Sequence, residues 1–192
     1  LLVAIGPVSM ALYTPAMTEL VRVFETTESA IKLTLTLYFG GFACAQLIAG
    51  PLSDALGRRP ITIAFMALYC VASVAATLPP TVEVARFLQG IGASAGIAIS
   101  RALVRDLFTD DQSSRIMNLI GIILALGPAL APTIGGLMLP LFGWQSIFLL
   151  MTLIGFLVIW VALFSMKETV TADPSRLNFK ALGRTYKSLL GN

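Results

Sequence analysis

Residues 31–60 read IKLTLTLYFGGFACAQLIAGPLSDALGRRP. From Ile31 to Leu52 the only charge is Lys32, at the second position. A helix needs ~20 mostly apolar residues to cross the hydrocarbon core, and this run is long enough. Its character then changes abruptly, with Asp54, Gly57, Arg58, Arg59 and Pro60 in quick succession. A bilayer interior rejects those residues, whereas a turn at its surface accommodates them. The stretch reads as a membrane helix ending in a charged turn. Composition extends that reading to the whole chain. Of its 192 residues, 57% are apolar and only 12% charged, against about 25% charged in a soluble domain. The mean hydropathy is +0.87. A soluble core of this size could not hide so much apolar surface. The chain contains no histidine, which removes the commonest metal ligand and the commonest general base near neutral pH. Cys44 and Cys70 sit in apolar runs and fit neither a zinc site nor a disulfide framework. The expected fold class is therefore an all-α, polytopic membrane protein. Soluble enzyme and nucleic-acid binder are disfavoured, and no cofactor or metal site is implied.

The same window predicts six transmembrane helices, at Leu1–Met17, Ile31–Leu52, Ile61–Leu78, Val84–Leu107, Ile116–Leu139 and Ile147–Met166. No initiator methionine or basic region precedes the first span and five more follow, which argues against a signal peptide. The expectation is a chain that starts a few residues inside a longer reading frame. Orientation follows from the loops. One side holds Arg58, Arg59, Arg105, Arg115, Lys167, Arg176, Lys180, Arg184 and Lys187, and the other only Arg22 and Lys32. Lys and Arg are enriched on the cytoplasmic side, so both ends are expected there. From residue 167 to 192 the composition turns polar and basic. Leu182, Tyr186, Leu189 and Leu190 follow helical spacing around Arg184 and Lys187. This segment reads either as an amphipathic helix on the lipid surface or as linker.

Span 4 carries Arg86, then Gln89-Gly90, Gly92, Ser94 and Gly96. Small residues at such spacing let another backbone approach in lipid. A charge within a span costs ~2.5–3.5 kcal/mol on insertion scales and usually lines a cavity or finds a partner. Arg86 follows Glu83 closely, so snorkelling to the interface is the other reading; for Arg101, near the opposite end, snorkelling is the preferred one. Span 5 holds Gly121, Gly127-Pro128, Pro132 and Gly135-Gly136. Prolines four residues apart are expected to open the helix, at a place where neighbours or a cavity satisfy the backbone. A static bundle remains the plainer alternative. Tyr38 and Gln46 are polar residues in an apolar helix, placed either at a cavity or in interhelical hydrogen bonds.

Gly50-Pro51-Leu52-Ser53-Asp54-Ala55-Leu56-Gly57-Arg58-Arg59 resembles the G-x-L-x-D-x-x-G-R-R/K loop signature of the major facilitator superfamily. Arg86-Phe87-Leu88-Gln89-Gly90 resembles its R-x-x-Q-G fourth-helix signature, and Gly121…Gly127-Pro128…Gly135-Gly136 its fifth-helix exporter motif. Tyr13-Thr14-Pro15-Ala16 resembles a first-helix stretch of the Bcr/CflA-type drug:proton antiporters. The resemblance implies an amino-terminal half of a twelve-helix fold, with two inverted three-helix repeats in residues 1–166 and a carboxy-terminal six-helix half as partner. It implies inner-membrane export of drugs or small lipophilic molecules by alternating access, coupled to protons, with the lipid bilayer as surroundings. Gly50, Asp54, Gly57, Arg58 and Arg59 would form a conformational latch, with Arg105 and Glu168 in its charge network. The fifth-helix motif would pack against the other half. Tyr13 and Arg86 would belong to the substrate cavity, and Arg86 would be the helix-4 arginine linked to proton coupling. Tyrosine suits variable lipophilic ligands through its flat face and single hydroxyl. Ala11 stands where such antiporters usually carry an acid, two positions before Tyr13, and no acid lies at mid-membrane depth. Two rivals follow: an uncoupled metabolite exporter or facilitator, and a non-transporting six-helix subunit. No nucleophile–base pair or metal cluster favours an enzyme.

Overall fold

The computed structural model describes residues 2–78 and 82–170, and among them every regular element is helical. A short 3₁₀ turn at Leu2–Ala4 leads into α1 (Ile5–Tyr13) and α2 (Ala16–Val23). There follow α3 (Glu28–Leu56), α4 (Arg58–Ala75), α5 (Val82–Leu107), α6 (Asp110–Phe142) and α7 (Gln145–Phe164). Five of these, α3 to α7, are long and apolar enough to cross a membrane. The first predicted span, Leu1–Met17, differs from a plain helix. It is interrupted at Thr14–Pro15 and continues as α2 to Val23, past the expected end at Met17. Pro15 has no N–H to donate, so the hydrogen-bond ladder breaks there while the backbone stays in helical space (φ −63°, ψ −31°).

α3 starts at Thr27, whose side chain accepts from the Ala30 N–H at 3.3 Å, the usual way an orphan donor at a helix start is satisfied. It ends at Gly57, which is also the residue preceding α4. A single glycine thus joins two long helices, and its φ of +100° with ψ of 146° belongs to backbone space that side chains strongly disfavour. Pro60 is the third residue of α4, where its missing N–H was an orphan in any case.

Helix α5 is the centre of the bundle and packs between α3 and α4, while α4 also packs on α7 and α1 on α6. Small residues make the central crossings close. A Cβ on Gly92 would lie 2.6 Å from the Tyr69 nitrogen and 2.7 Å from the Phe65 oxygen, both backbone atoms of α4. Helix α6 is longer than its predicted span at both ends. The gap expected between Leu107 and Ile116 shrinks to Phe108–Thr109, because the polar run from Asp110 is helical and extends the same rod. The expected opening at the prolines is also absent: Pro128, Pro132 and Pro140 all lie inside one continuous helix. Much of α6 is exposed, including Leu119, Ile122, Leu126, Leu130 and Leu137. The amphipathic pattern at residues 182–190 lies outside the described residues, as does most of the predicted 167–192 segment.

Candidate functional site

Arg86 is 0% exposed, so its guanidinium does not snorkel. Its carbon sits 4.2 Å from the centroid of the Tyr13 ring and 4.4 Å from that of Tyr38. α1 delivers one ring and α3 the other, and α5 holds the cation between them. Desolvated cation–π contacts contribute about 2 kcal/mol each. Together they are comparable with the ~2.5–3.5 kcal/mol that a charged residue at mid-helix costs on insertion scales. The remaining polar groups form a connected set. Arg86 Nη1 donates to Gln89 Oε1 at 2.5 Å. Gln89 Nε2 donates to Ser73 Oγ at 2.6 Å and reaches Met151 Sδ at 3.3 Å. Thr34 donates to the Ile31 carbonyl, which leaves its oxygen to accept from the Tyr13 hydroxyl at 2.7 Å. The Tyr38 hydroxyl donates to the Gly6 carbonyl at 3.0 Å. Ser9 Oγ donates to Ile5 O and accepts from the Tyr69 hydroxyl at 2.5 Å. Side chains of α1, α3 and α5 thus touch the cation, and Gln89 ties it to α4 and α7.

Two atoms break this pattern of satisfaction: Arg86 Nε and Nη2 have no hydrogen-bond partner among the described residues. Among the described residues no ion pair involves Arg86. The first-helix position of interest is indeed apolar and buried, Ala11 being 8% exposed.

Of the predicted cavity residues, the fold brings Tyr13, Tyr38 and Arg86 together but not Gln46. Gln46 is half-buried, and eight residues beyond Tyr38 on one helix means about 12 Å along its axis. The glutamine that does belong is Gln89, 0% exposed and one turn from Arg86. Sequence reading quoted it within the signature without singling it out. It also missed Ser9, Thr34, Tyr69 and Ser73, which carry no distinguishing spacing.

A second polar cluster lies at the α3–α4 turn. Arg58 is 6% exposed. It pairs with Asp54, donates from Nη1 to Ser53 Oγ at 2.7 Å and from Nε to Asp106 Oδ2 at 3.1 Å. Thr169 Oγ1 donates to the same Asp106 oxygen at 3.1 Å. Glu168 does a different task. Its Oε1 accepts from the Arg58 N–H at 2.8 Å and its Oε2 from the Arg59 N–H at 3.1 Å. It thereby caps α4, which has no side-chain cap of its own. Arg59 Nη2 donates to the Leu163 carbonyl at 2.6 Å, placing a cation at the carboxyl end of α7 as the helix dipole favours. Arg105 is exposed and stands outside the described contacts. The expectation of Arg105 in this network is thus corrected to its neighbour Asp106, which one ~100° helical step turns toward Arg58. Gly50 supplies the carbonyl that Ser53 Oγ bonds at 2.8 Å.

The glycines of α6 divide between two faces. A Cβ on Gly127 would meet Val8 Cγ2 at 2.8 Å, and one on Gly135 the Leu12 carbonyl oxygen at 2.7 Å. These two pack α6 onto α1 inside this bundle, not against another half. Gly121 and Gly136 have nothing within 4 Å of a would-be Cβ. Pro128 is half-buried next to Gly127.

A buried arginine at the meeting point of membrane helices, and a charged turn at the other end of α3 that ties α3, α4, α5 and α7, mark a polytopic helical bundle. The chain belongs to the Major Facilitator Superfamily, whose family profile matches residues 1–191. It is 38% identical over 197 residues to the uncharacterized MFS-type transporter YdgK of Bacillus subtilis (strain 168), covering 97% of this chain and 49% of that one. It is 33% identical over 177 residues to multidrug resistance protein MdtL of Shigella flexneri serotype 5b (strain 8401), covering 91% and 45%. The chain thus spans about half the length of these relatives. Among solved structures it resembles the human organic anion transporter MFSD10 (TETRAN), with a TM-score of 0.65 and 21% identity, over 95% of this chain and 51% of that one. That likeness concerns the fold alone.

Proposed function

We propose that this chain forms the amino-terminal half of an inner-membrane secondary transporter of the Bcr/CflA type. It exports drugs or small lipophilic molecules by proton antiport and alternating access, with both ends of the segment on the cytoplasmic side. The observation that carries the reading is Arg86, a fully buried cation between two tyrosine rings with part of its donor set unmatched. A static bundle gains nothing from that arrangement. A machine that exchanges ligands there gains a binding element, and Tyr13 and Tyr38 supply flat apolar faces beside it. Sequence similarity to MdtL, a multidrug resistance protein by name, supports drugs as the cargo. The Arg58–Asp54–Asp106 cluster serves as the conformational latch, and the open face of α6 with Gly121 and Gly136 meets a carboxy-terminal six-helix half.

Ala11 favours a second reading, an exporter not coupled to protons, because the proton-binding acid is absent from its usual place. The experiment is drug efflux by the intact protein in an efflux-deficient bacterium, with and without a protonophore. Protonophore-sensitive extrusion of several unrelated drugs supports antiport. Insensitive extrusion favours the uncoupled exporter, and no extrusion by a protein that reaches the membrane refutes drug export.

A further inference from the structure

The two unpartnered atoms of Arg86 are not a random pair. Nε and Nη2 bound the same edge of the planar guanidinium, and their N–H bonds run side by side. Nη1, on the far side, is already held by Gln89. The edge left free is the one that receives a carboxylate through two parallel hydrogen bonds. The Tyr13 and Tyr38 rings both lie against the same group, and the Nε–Nη2 edge is where donors stand without a partner. Leaving such donors unpaired at 0% exposure is costly.

The geometry points to a carboxylate-binding site on the Nε–Nη2 edge of Arg86, filled by the carboxylate of a lipophilic substrate. This rests on the export reading above and narrows its substrate class to lipophilic organic acids. The tyrosine faces would lie against the apolar body while the guanidinium edge holds the anionic head. Tyr13 is the movable wall. It is the last residue of α1, immediately before the Thr14–Pro15 interruption, and its hydroxyl is held by the hydrogen bond to Thr34 at 2.7 Å. Swinging that ring aside gives a ligand access without dismantling α3 or α5. Gln89 holds the opposite side of the guanidinium through its bond to Nη1.

The test is equilibrium binding to the intact transporter in lipid nanodiscs, using 2-naphthoate, the isosteric neutral 2-naphthamide and the cationic 2-naphthyltrimethylammonium. A bidentate charged contact should make naphthoate bind about tenfold to a hundredfold more tightly than naphthamide, with the cation weakest. Arg86→Gln should abolish that preference while naphthamide still binds, which also reports that the variant is folded. Should Arg86→Gln fail to fold, Arg86→Lys decides, because an ammonium keeps the charge and loses the planar edge. Most of the preference should vanish there too. Naphthoate binding no tighter than naphthamide, binding of neither probe, or a preference that survives both substitutions overturns the inference. The first of those results is expected when a carboxylate of the protein itself takes the edge. Efflux of neutral drugs by a transporter lacking carboxylate preference would overturn this inference and leave export standing. Carboxylate preference in a protein that extrudes nothing would do the reverse.

Discussion

Replacing Gly92 by alanine tests the central helix crossing directly. The added Cβ would stand 2.6 Å from the Tyr69 nitrogen, 0.8 Å short of the 3.4 Å at which ordinary contact begins. It would also be 2.7 Å from the Phe65 carbonyl oxygen and from Tyr69 Cβ. No flexible side-chain tip is available to yield, so α4 as a whole must retreat from α5. Overpacking typically costs 1–3 kcal/mol, and a backbone clash on two atoms belongs at ~3 kcal/mol. Alanine's better helix propensity returns ~1 kcal/mol, leaving a net loss of ~2 kcal/mol. Gly40 is the control, because nothing lies within 4 Å of its would-be Cβ; Gly40→Ala should be neutral or gain up to ~1 kcal/mol. Both variants would be measured in the reconstituted protein by reversible unfolding, with a thermal ramp as a second readout. Retreat of α4 also draws Ser73 and Tyr69 away from Gln89 and Ser9, so ligand affinity should fall with stability for Gly92→Ala alone. Equal stability of the two variants, within ~0.5 kcal/mol, would refute the close crossing and the reasoning built on it.

Removing the Glu168 cap by Glu168→Ala should cost ~0.5–2 kcal/mol, with a smaller loss for Glu168→Gln, as read by the same unfolding assay. Gly57→Ala should cost ~1–3 kcal/mol through its φ of +100°, and its Cβ would in addition press on Glu168 Oε2 at 2.8 Å; an unchanged midpoint would refute the strain. For the buried cation, Tyr13→Phe keeps the ring and loses only the Thr34 hydrogen bond, so efflux by the intact protein should persist. Tyr13→Ala removes the face itself and should abolish it, and unchanged transport of every substrate in that variant would remove Tyr13 from the site.

Hydrophobic run length was enough to place most of the helices, because in lipid nearly every backbone group must be satisfied within its own segment. It could not place the interruption at Thr14–Pro15. Pro15 sits in a stretch apolar enough to pass for one helix, and only neighbouring packing decides where a broken ladder is tolerated. Nor could it find the polar half-turns at the start of α6, since solvated helix and loop share a composition. The site was partly legible for a similar reason. Arg86 announces itself by the cost of its charge, and Arg58 with Gly57 by their motif. Gln46 and Gln89 are the same residue type in the same kind of helix, yet one is half-buried and the other wholly enclosed. Arg105 and Asp106 are adjacent, and which of them meets Arg58 depends on how α5 is rotated, a tertiary quantity with no local signature.

The Glu168 cap has a consequence for biosynthesis. The N–H groups of Arg58 wait for an acceptor 110 residues further along the chain. At a ribosomal rate of ~5–20 residues per second, that is an interval of roughly 5–20 s. Throughout it the first α3–α4 turn is already made but lacks this closing acceptor. The turn gains this acceptor only once α7 and the residues just after it have reached the same end of the bundle. A chain in which α7 is misinserted or lost therefore leaves the start of α4 without this acceptor.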